Sequence, residues 1–242
     1  MNHQPFERAA IVGASGGIGR ALCLALAERG TRVWALARSA TTDWPAGIDP
    51  LRFDLEDENS IARAAETMRD APPPQLVVVC TGALTLADGT GPERSYRQLD
   101  GAAMAEAFRI NTIGPALIAK HLLPLLPRDQ RTVFAALSAR VGSIADNRLG
   151  GWHSYRASKA ALNMLVRNFA IELARTHREA SVVALHPGTV DTGLSEPFQA
   201  NLPSGQLTAP PEAAHHLLNV IDKLTPAESG KAFDWKGEEI PS

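Results

Sequence analysis

The order of apolar segments constrains this chain more than any other feature. Short runs, apolar at most positions, lie at Ala9–Val12, Thr31–Ala37, Leu51–Phe53, Gln75–Cys80, Arg131–Leu137 and Ser181–His186. They alternate with longer stretches of helical periodicity at Gly17–Arg29, Glu56–Arg69, Gly101–Leu123, Tyr155–Arg175 and Pro211–Lys223. A strand covered on one face is apolar at every second residue. A continuous apolar run needs cover on both faces, as parallel strands have. The repeated strand–helix–strand order therefore predicts an α/β fold: a doubly wound, Rossmann-like parallel sheet with helices on both faces. Ala232–Trp235 predicts a last edge strand. The 242 residues, 45% hydrophobic, fit one domain spanning 1–242. Pro115 falls inside the third helical pattern and should kink or break it.

Charge excludes several classes. The net charge of −2 and the scattered arginines point to no nucleic acid and no acidic membrane surface. Met1–Ala10 has no apolar signal core, and no run approaches the roughly 20 apolar residues of a membrane helix. A cytoplasmic protein is expected. The two cysteines, Cys23 and Cys80, read as buried, inert thiols, with no disulfide framework and no metal site.

The chemistry concentrates in two places. Gly13-Ala14-Ser15-Gly16-Gly17-Ile18-Gly19 follows the first strand and opens the first helix, where backbone amides and the helix dipole can hold a pyrophosphate. After the second strand, where an NAD site usually has an acid for the ribose, stand Ala37 and Arg38. Arginine can pair with the 2′-phosphate of NADP, so NADP is expected and NAD remains possible. Asp54 and Leu55 follow the third strand. They either border the adenine or, for Asp54, cap the next helix. Tyr155 and Lys159 lie four apart on one helical face. An ammonium about 5 Å from a phenol lowers its pKa by about two units at an effective dielectric of about 20.

Taken together, these residues resemble the compact short-chain dehydrogenases/reductases over nearly the whole chain. The matching elements are Gly13-x-x-x-Gly17-x-Gly19, Asn111, Tyr155-x-x-x-Lys159, and Pro187-Gly188 followed by Val190 and Thr192. The tail Gly230–Gly237 and the segment Gly142–Ser154 resemble the branch holding C-factor proteins and sniffer-type carbonyl reductases. The resemblance implies hydride transfer between NAD(P) and a small-molecule carbonyl or alcohol. It gives Tyr155 the role of acid. Lys159 lowers the tyrosine's pKa and holds the nicotinamide ribose, and Asn111 holds a relay water. Val190 and Thr192 fix the nicotinamide, and Gly82 lets the backbone approach the cofactor. A homodimer or homotetramer through the fifth helix is also implied.

The sequence departs from that pattern. Ala139 and Gly142 stand where the family's substrate-orienting serine is sought. Ser138 is preferred for the role, with Ser143 the other choice. Cys80 replaces a strand-end asparagine, and Val12 replaces a threonine before the first glycine. Substrate loops are expected at 81–100, 142–154 and 187–209, with Leu84, Trp152, His153, Leu194 and Phe198 framing the pocket. A nucleotide-binding sensor that no longer catalyses is the alternative from another class.

Overall fold

The computed structural model describes residues 6–39, 43–201 and 206–242. In chain order the elements are β1 (Arg8–Val12), α1 (Gly17–Glu28), β2 (Arg32–Ala37), β3 (Ile48–Arg52), α2 (Glu58–Arg69), β4 (Leu76–Val79), α3 (Gly101–Phe108) and α4 (Gly114–Leu122). Then follow β5 (Thr132–Leu137), α5 (His153–Leu173), β6 (Ala180–His186), β7 (Thr189–Val190), β8 (Leu207–Thr208), α6 (Pro210–Lys223), β9 (Ala232–Asp234) and β10 (Glu239–Ile240).

Eight strands form one sheet in the order β3-β2-β1-β4-β5-β6-β9-β10. All neighbours pair in parallel except β10, which runs antiparallel to β9. The chain winds outward in both directions from β1 and β4, so a crevice opens at the carboxyl ends of those two strands.

The apolar runs divide their side chains between two cores. Ala9, Ile11, Leu76 and Val78 face a core with Leu22, Leu26, Leu217 and Ile221 of α1 and α6. Ala10, Val12, Val77 and Val79 face the other, with Ile61, Met68, Ile118, Leu122, Leu162 and Val166 of α2, α4 and α5. Each fully buried large side chain contributes about 1.5–3 kcal/mol relative to exposure, so the continuous runs hold both helical layers onto the sheet.

Several expectations are corrected. The third strand begins at Ile48, before Leu51, because its Asp49 and Pro50 belong to a half-exposed edge strand. Ala232–Asp234 is not the edge; β10 pairs on its outer side. The helix expected over Gly101–Leu123 is divided by a π-helical stretch at Arg109–Ile113, and Gly114-Pro115 opens α4. Proline has no N–H to give the carbonyl four residues back, which is Asn111. The segment 187–209 carries structure of its own: β7 pairs with β8, and a 3₁₀ turn runs over Glu196–Asn201. Residues 202–205 of that segment lie outside the described residues. Among the described residues, no helix is long and apolar enough to cross a membrane.

Candidate active site

A groove of about 420 Å³ follows the crevice above β1 and β4, and residues lining it include Gly13, Ser15, Gly16, Ala37, Arg38, Asp54, Leu55, Thr81 and Gly82. Gly13 turns the chain with φ +86°, and the amides of Gly13 and Ala14 both donate to the Leu36 carbonyl. A Cβ on Gly19 would lie 2.3 Å from the Gly13 carbonyl oxygen, so only glycine lets α1 start this close to the turn. A Cβ on Gly17 would lie 2.7 Å from the Thr192 methyl, which brings the loop after β6 over the start of α1. Ile18 packs partly buried against the core. The N-cap of α1 is Gly16, which caps with no side chain, and the first turn holds no acid. Its amides are left for an anion.

Arg38 is exposed and makes no ion pair among the described residues. Asp54 is not the cap of α2. That cap is Asp57, which accepts from the Asn59 amide at 3.0 Å. Asp54 instead closes a local turn, accepting from the Glu56 amide at 3.0 Å, and lines the groove. The Leu55 side chain fills the place a Cβ on Gly114 would take, at 2.4 Å.

Beyond Ala83 and Thr85, which line both, the groove meets a cavity of about 800 Å³. Tyr155 lies on its wall, 9% exposed. Its hydroxyl has no hydrogen-bond partner among the described residues, while Lys159 places Nζ 5.8 Å from the ring centroid. That amine donates to the Leu137 carbonyl at 2.8 Å, leaving two of its three N–H donors. A Cβ on Gly82 would lie 3.4 Å from Lys159 Nζ and 3.3 Å from Asn111 Oδ1. Glycine there keeps the space before the amine open.

The electrostatics differ from the sequence expectation. Burial pushes the Tyr155 phenol up to about 12 and brings the Lys159 ammonium down to about 8. The expected lowering of the phenol by its neighbour is thus overridden, because desolvation disfavours the charged form of both groups.

Asn111 is fully buried in the π-helical stretch. Its Oδ1 accepts from the Ala83 amide at 2.9 Å, and its Nδ2 donates to the Ala83 carbonyl at 2.9 Å and to Ser158 Oγ at 3.2 Å. Ser158 Oγ donates to the Tyr155 carbonyl at 2.8 Å. The side chain of Asn111 thus fastens the loop after β4 to the turn of α5 that carries Tyr155.

The structure does not bring either serine to the cavity. Ser138 Oγ donates to Asn163 Oδ1 at 2.7 Å, and Ser143 Oγ donates to the Pro241 carbonyl. Ser138 turns to α5 because adjacent residues at the end of β5 point to opposite sides, whereas Ser143 follows a 3₁₀ turn at Arg140–Gly142 and reaches the chain just after β10. Leu84, Trp152 and Phe198 do line the cavity, the last two with rings 5.2 Å apart, whereas His153 and Leu194 do not. Pro187 and Gly188 leave the end of β6, with Gly188 at φ +79° under the Trp235 ring. Val190 is buried, and its carbonyl accepts from Ser195 Oγ at 2.5 Å. Neither thiol joins the site chemistry: burial pushes both Cys23 and Cys80 up, and both are free.

Glu93 is a site residue that no motif or spacing singles out. It is 8% exposed, lines the cavity, and accepts from the amide of Ser154 at 3.1 Å and from the Ser154 hydroxyl. Burial pushes its carboxyl up, but the donations from Ser154, together with its own main-chain amide and the nearby His153, hold it below the usual carboxylate range.

The groove suits a dinucleotide on its own evidence. Among the described residues buried Thr81 Oγ1 and Thr85 Oγ1 lack partners, the α1 amides have no side-chain cap, and glycines stand where a Cβ would clash. A family model described as short chain dehydrogenase matches residues 7–203. C-signal of Myxococcus xanthus is 39% identical over 168 residues, covering 67% of this chain and 95% of that one. A 1-hydroxy-2-glutathionyl-2-methyl-3-butene dehydrogenase of Rhodococcus sp. strain AD45 is 31% identical over 224 residues, covering 91% and 93%. Among solved structures, carbonyl reductase Sniffer of D. melanogaster superposes with a TM-score of 0.85 at 20% identity, covering 98% of this chain and 99% of that one. An NADPH-bound carbonyl reductase from chicken fatty liver gives 0.84 at 23%, covering 100% and 96%. With a parallel sheet, a glycine turn and a buried tyrosine–lysine pair in these positions, the chain belongs to the short-chain dehydrogenases.

Proposed function

We propose that this oxidoreductase is an NADP(H)-preferring carbonyl reductase or alcohol dehydrogenase in which Tyr155 is the acid. One observation carries the reading: a buried phenol whose hydroxyl has no partner among the described residues stands on a cavity that shares Ala83 and Thr85 with the nucleotide groove. When bound, the nicotinamide supplies or accepts the hydride. In reduction, Tyr155 donates its proton to the carbonyl oxygen as that oxygen gains negative charge. Burial keeps this phenol protonated at neutral pH, so the proton to be given is in place.

Lys159 uses its remaining N–H donors to hold the nicotinamide ribose and to return a proton toward Tyr155. Asn111 serves the relay through its main-chain carbonyl, because its side chain is spent on Ala83 and Ser158. Gly13, Ser15, Gly16, Gly17, Ile18 and Gly19 hold the pyrophosphate, and Asp54 and Leu55 border the adenine. Gly82 gives close approach, while Pro187, Gly188, Val190 and Thr192 select the ring face. Arg38 supports the NADP preference, as does the NADPH bound in the chicken enzyme of similar fold. Ser138 supports the site from behind by tying β5 to Asn163 of α5. A sensor without chemistry would have no use for a buried lysine beside an unpartnered phenol.

Segments 81–100, 142–154 and 187–209 frame the substrate, and the rings of Trp152 and Phe198 suit a bulky or aromatic carbonyl compound. The setting is the cytoplasm, where free cysteines stay reduced. A subunit contact over α5, with Met164 62% exposed, supports the homo-oligomer; sedimentation as a monomer refutes it. The reaction is tested with a panel of aliphatic ketones, aryl ketones, 1,2-diketones and aldehydes, each offered with NADPH and with NADH. Reduction by NADPH that Tyr155→Phe abolishes is the expected result. Turnover unaffected by that substitution overturns the proposal.

A further inference from the structure

The first turn of α5 carries the tyrosine, yet it has no cap of its own. Its N-cap is Trp152, held in the left-handed region at φ 50°, and neither a side-chain cap nor an acid lies in the first turn. The two residues before it, Gly150 and Gly151, are also left-handed, at φ 63° and 66°. Three such residues in a row give this junction little conformational support from the local chain.

What holds it comes from 61 residues earlier in the sequence. The carboxylate of Glu93 accepts from both the amide and the hydroxyl of Ser154, and the Glu93 carbonyl accepts from the Trp152 amide at 2.5 Å. Among the described residues no cation pairs with this buried carboxylate. Its charge is met instead by the positive end of α5, where charge-assisted hydrogen bonds are short and strong. Ser158 grips the carbonyl of Tyr155 from the other side.

We propose that Glu93 is a positioning residue for Tyr155. By clamping Ser154, the adjacent residue, it sets the direction in which the phenol enters the cavity. Among the described residues the hydroxyl has no partner of its own, so its aim depends on how this turn is held. The inference rests on the acid role of Tyr155.

The test uses the full chain, with NADPH and the most rapidly reduced member of the carbonyl panel. Glu93→Ala, Glu93→Gln and Glu93→Ala/Tyr155→Phe are compared with Tyr155→Phe alone. Misplacing a reacting group by about 1 Å costs about 10²-fold, so Glu93→Ala should lower kcat about 10- to 100-fold. The NADPH dissociation constant, read by cofactor fluorescence, should stay within about twofold, because Glu93 lines the cavity but not the groove. Glu93→Gln keeps one acceptor and the same shape, and should recover part of kcat. On the Tyr155→Phe background Glu93→Ala should leave the residual rate unchanged, since no hydroxyl remains to be aimed.

An unchanged kcat in Glu93→Ala overturns the inference, and so does an equal loss on the Phe background, which would mark general damage. If Glu93→Ala does not fold, Glu93→Gln decides by the same split between kcat and NADPH affinity, read on both the parent and the Tyr155→Phe background. Full activity in Tyr155→Phe defeats the functional reading itself; a crippled Tyr155→Phe beside a fully active Glu93→Ala defeats only the positioning role.

Discussion

The groove and the cavity meet at Ala83 and Thr85 but are built by different means. The groove is made of backbone: a turn with positive φ, glycines without room for a Cβ, and the free amides of α1, all within a few residues of one another. The cavity is made of side chains from segments far apart in the chain, joined by Glu93 to Ser154 and by the rings of Trp152 and Phe198. A surface of backbone accepts any ligand with the right phosphate geometry. Side chains on three separate segments can change without disturbing it, which lets one nucleotide scaffold serve different substrates.

The sharpest test of that division is Tyr155→Phe. It should lower kcat about 10²–10⁴-fold while NADPH binding stays intact, because the hydroxyl acts only on the substrate side. Loss of cofactor binding in that variant would mean that groove and cavity are one unit.

Lys159 stands at the junction and gives the second test. Its folded pKa of about 8 lies below the ordinary 10.5, so the unfolded chain binds more protons between those values. Stability attributable to Lys159 is therefore lowest at and below pH 8 and rises with pH toward 10.5. A shift of about two and a half units corresponds to about 3 kcal/mol. The Tm of Lys159→Met relative to the parent should thus fall between pH 8 and pH 10; a pH-independent difference would show that the amine is not desolvated. Tyr155 has the opposite sign, with a folded value of about 12 above its ordinary 10, and it withdraws stability only above pH 10.

On the groove side, Gly19→Ala places a Cβ 2.3 Å from a backbone oxygen. Overpacking of this kind costs about 1–3 kcal/mol, and cofactor affinity should fall with stability while any enzyme carrying cofactor keeps its kcat. Arg38→Ala should weaken NADPH about ten- to hundredfold and leave NADH unchanged, from the loss of one charged hydrogen bond of roughly 1.5–3 kcal/mol. Equal weakening of both cofactors would remove Arg38 from the 2′-phosphate. The smallest effect belongs to Ser138→Ala. It should cost about 1 kcal/mol in stability, read by denaturant titration, with little change in kcat. A hundredfold drop in kcat would put that hydroxyl back among the substrate contacts.

The same division explains what could be read from the sequence. Sheet, helices and glycine turn follow from local rules, and the wholly apolar runs announce strands buried on both faces. Tyr155 and Lys159 share a helix, so spacing alone places them together. Strand β3 was shortened because Asp49 and Pro50 interrupt its apolar pattern at the sheet edge. Glu93 carries no local signal, since only the fold sets it against an uncapped helix. Ser138 misled for a related reason: the sequence puts a serine at the end of β5, while the rotation of that strand end decides which way its hydroxyl turns.

Both outer strands of the sheet also bear on how the molecule behaves in concentrated solution. Pro50 removes one main-chain donor from β3, and β10 offers only two residues, with Glu239 paired to Lys231 beside them. Such margins give a neighbouring molecule little backbone to zip onto, which discourages runaway stacking of copies into fibres.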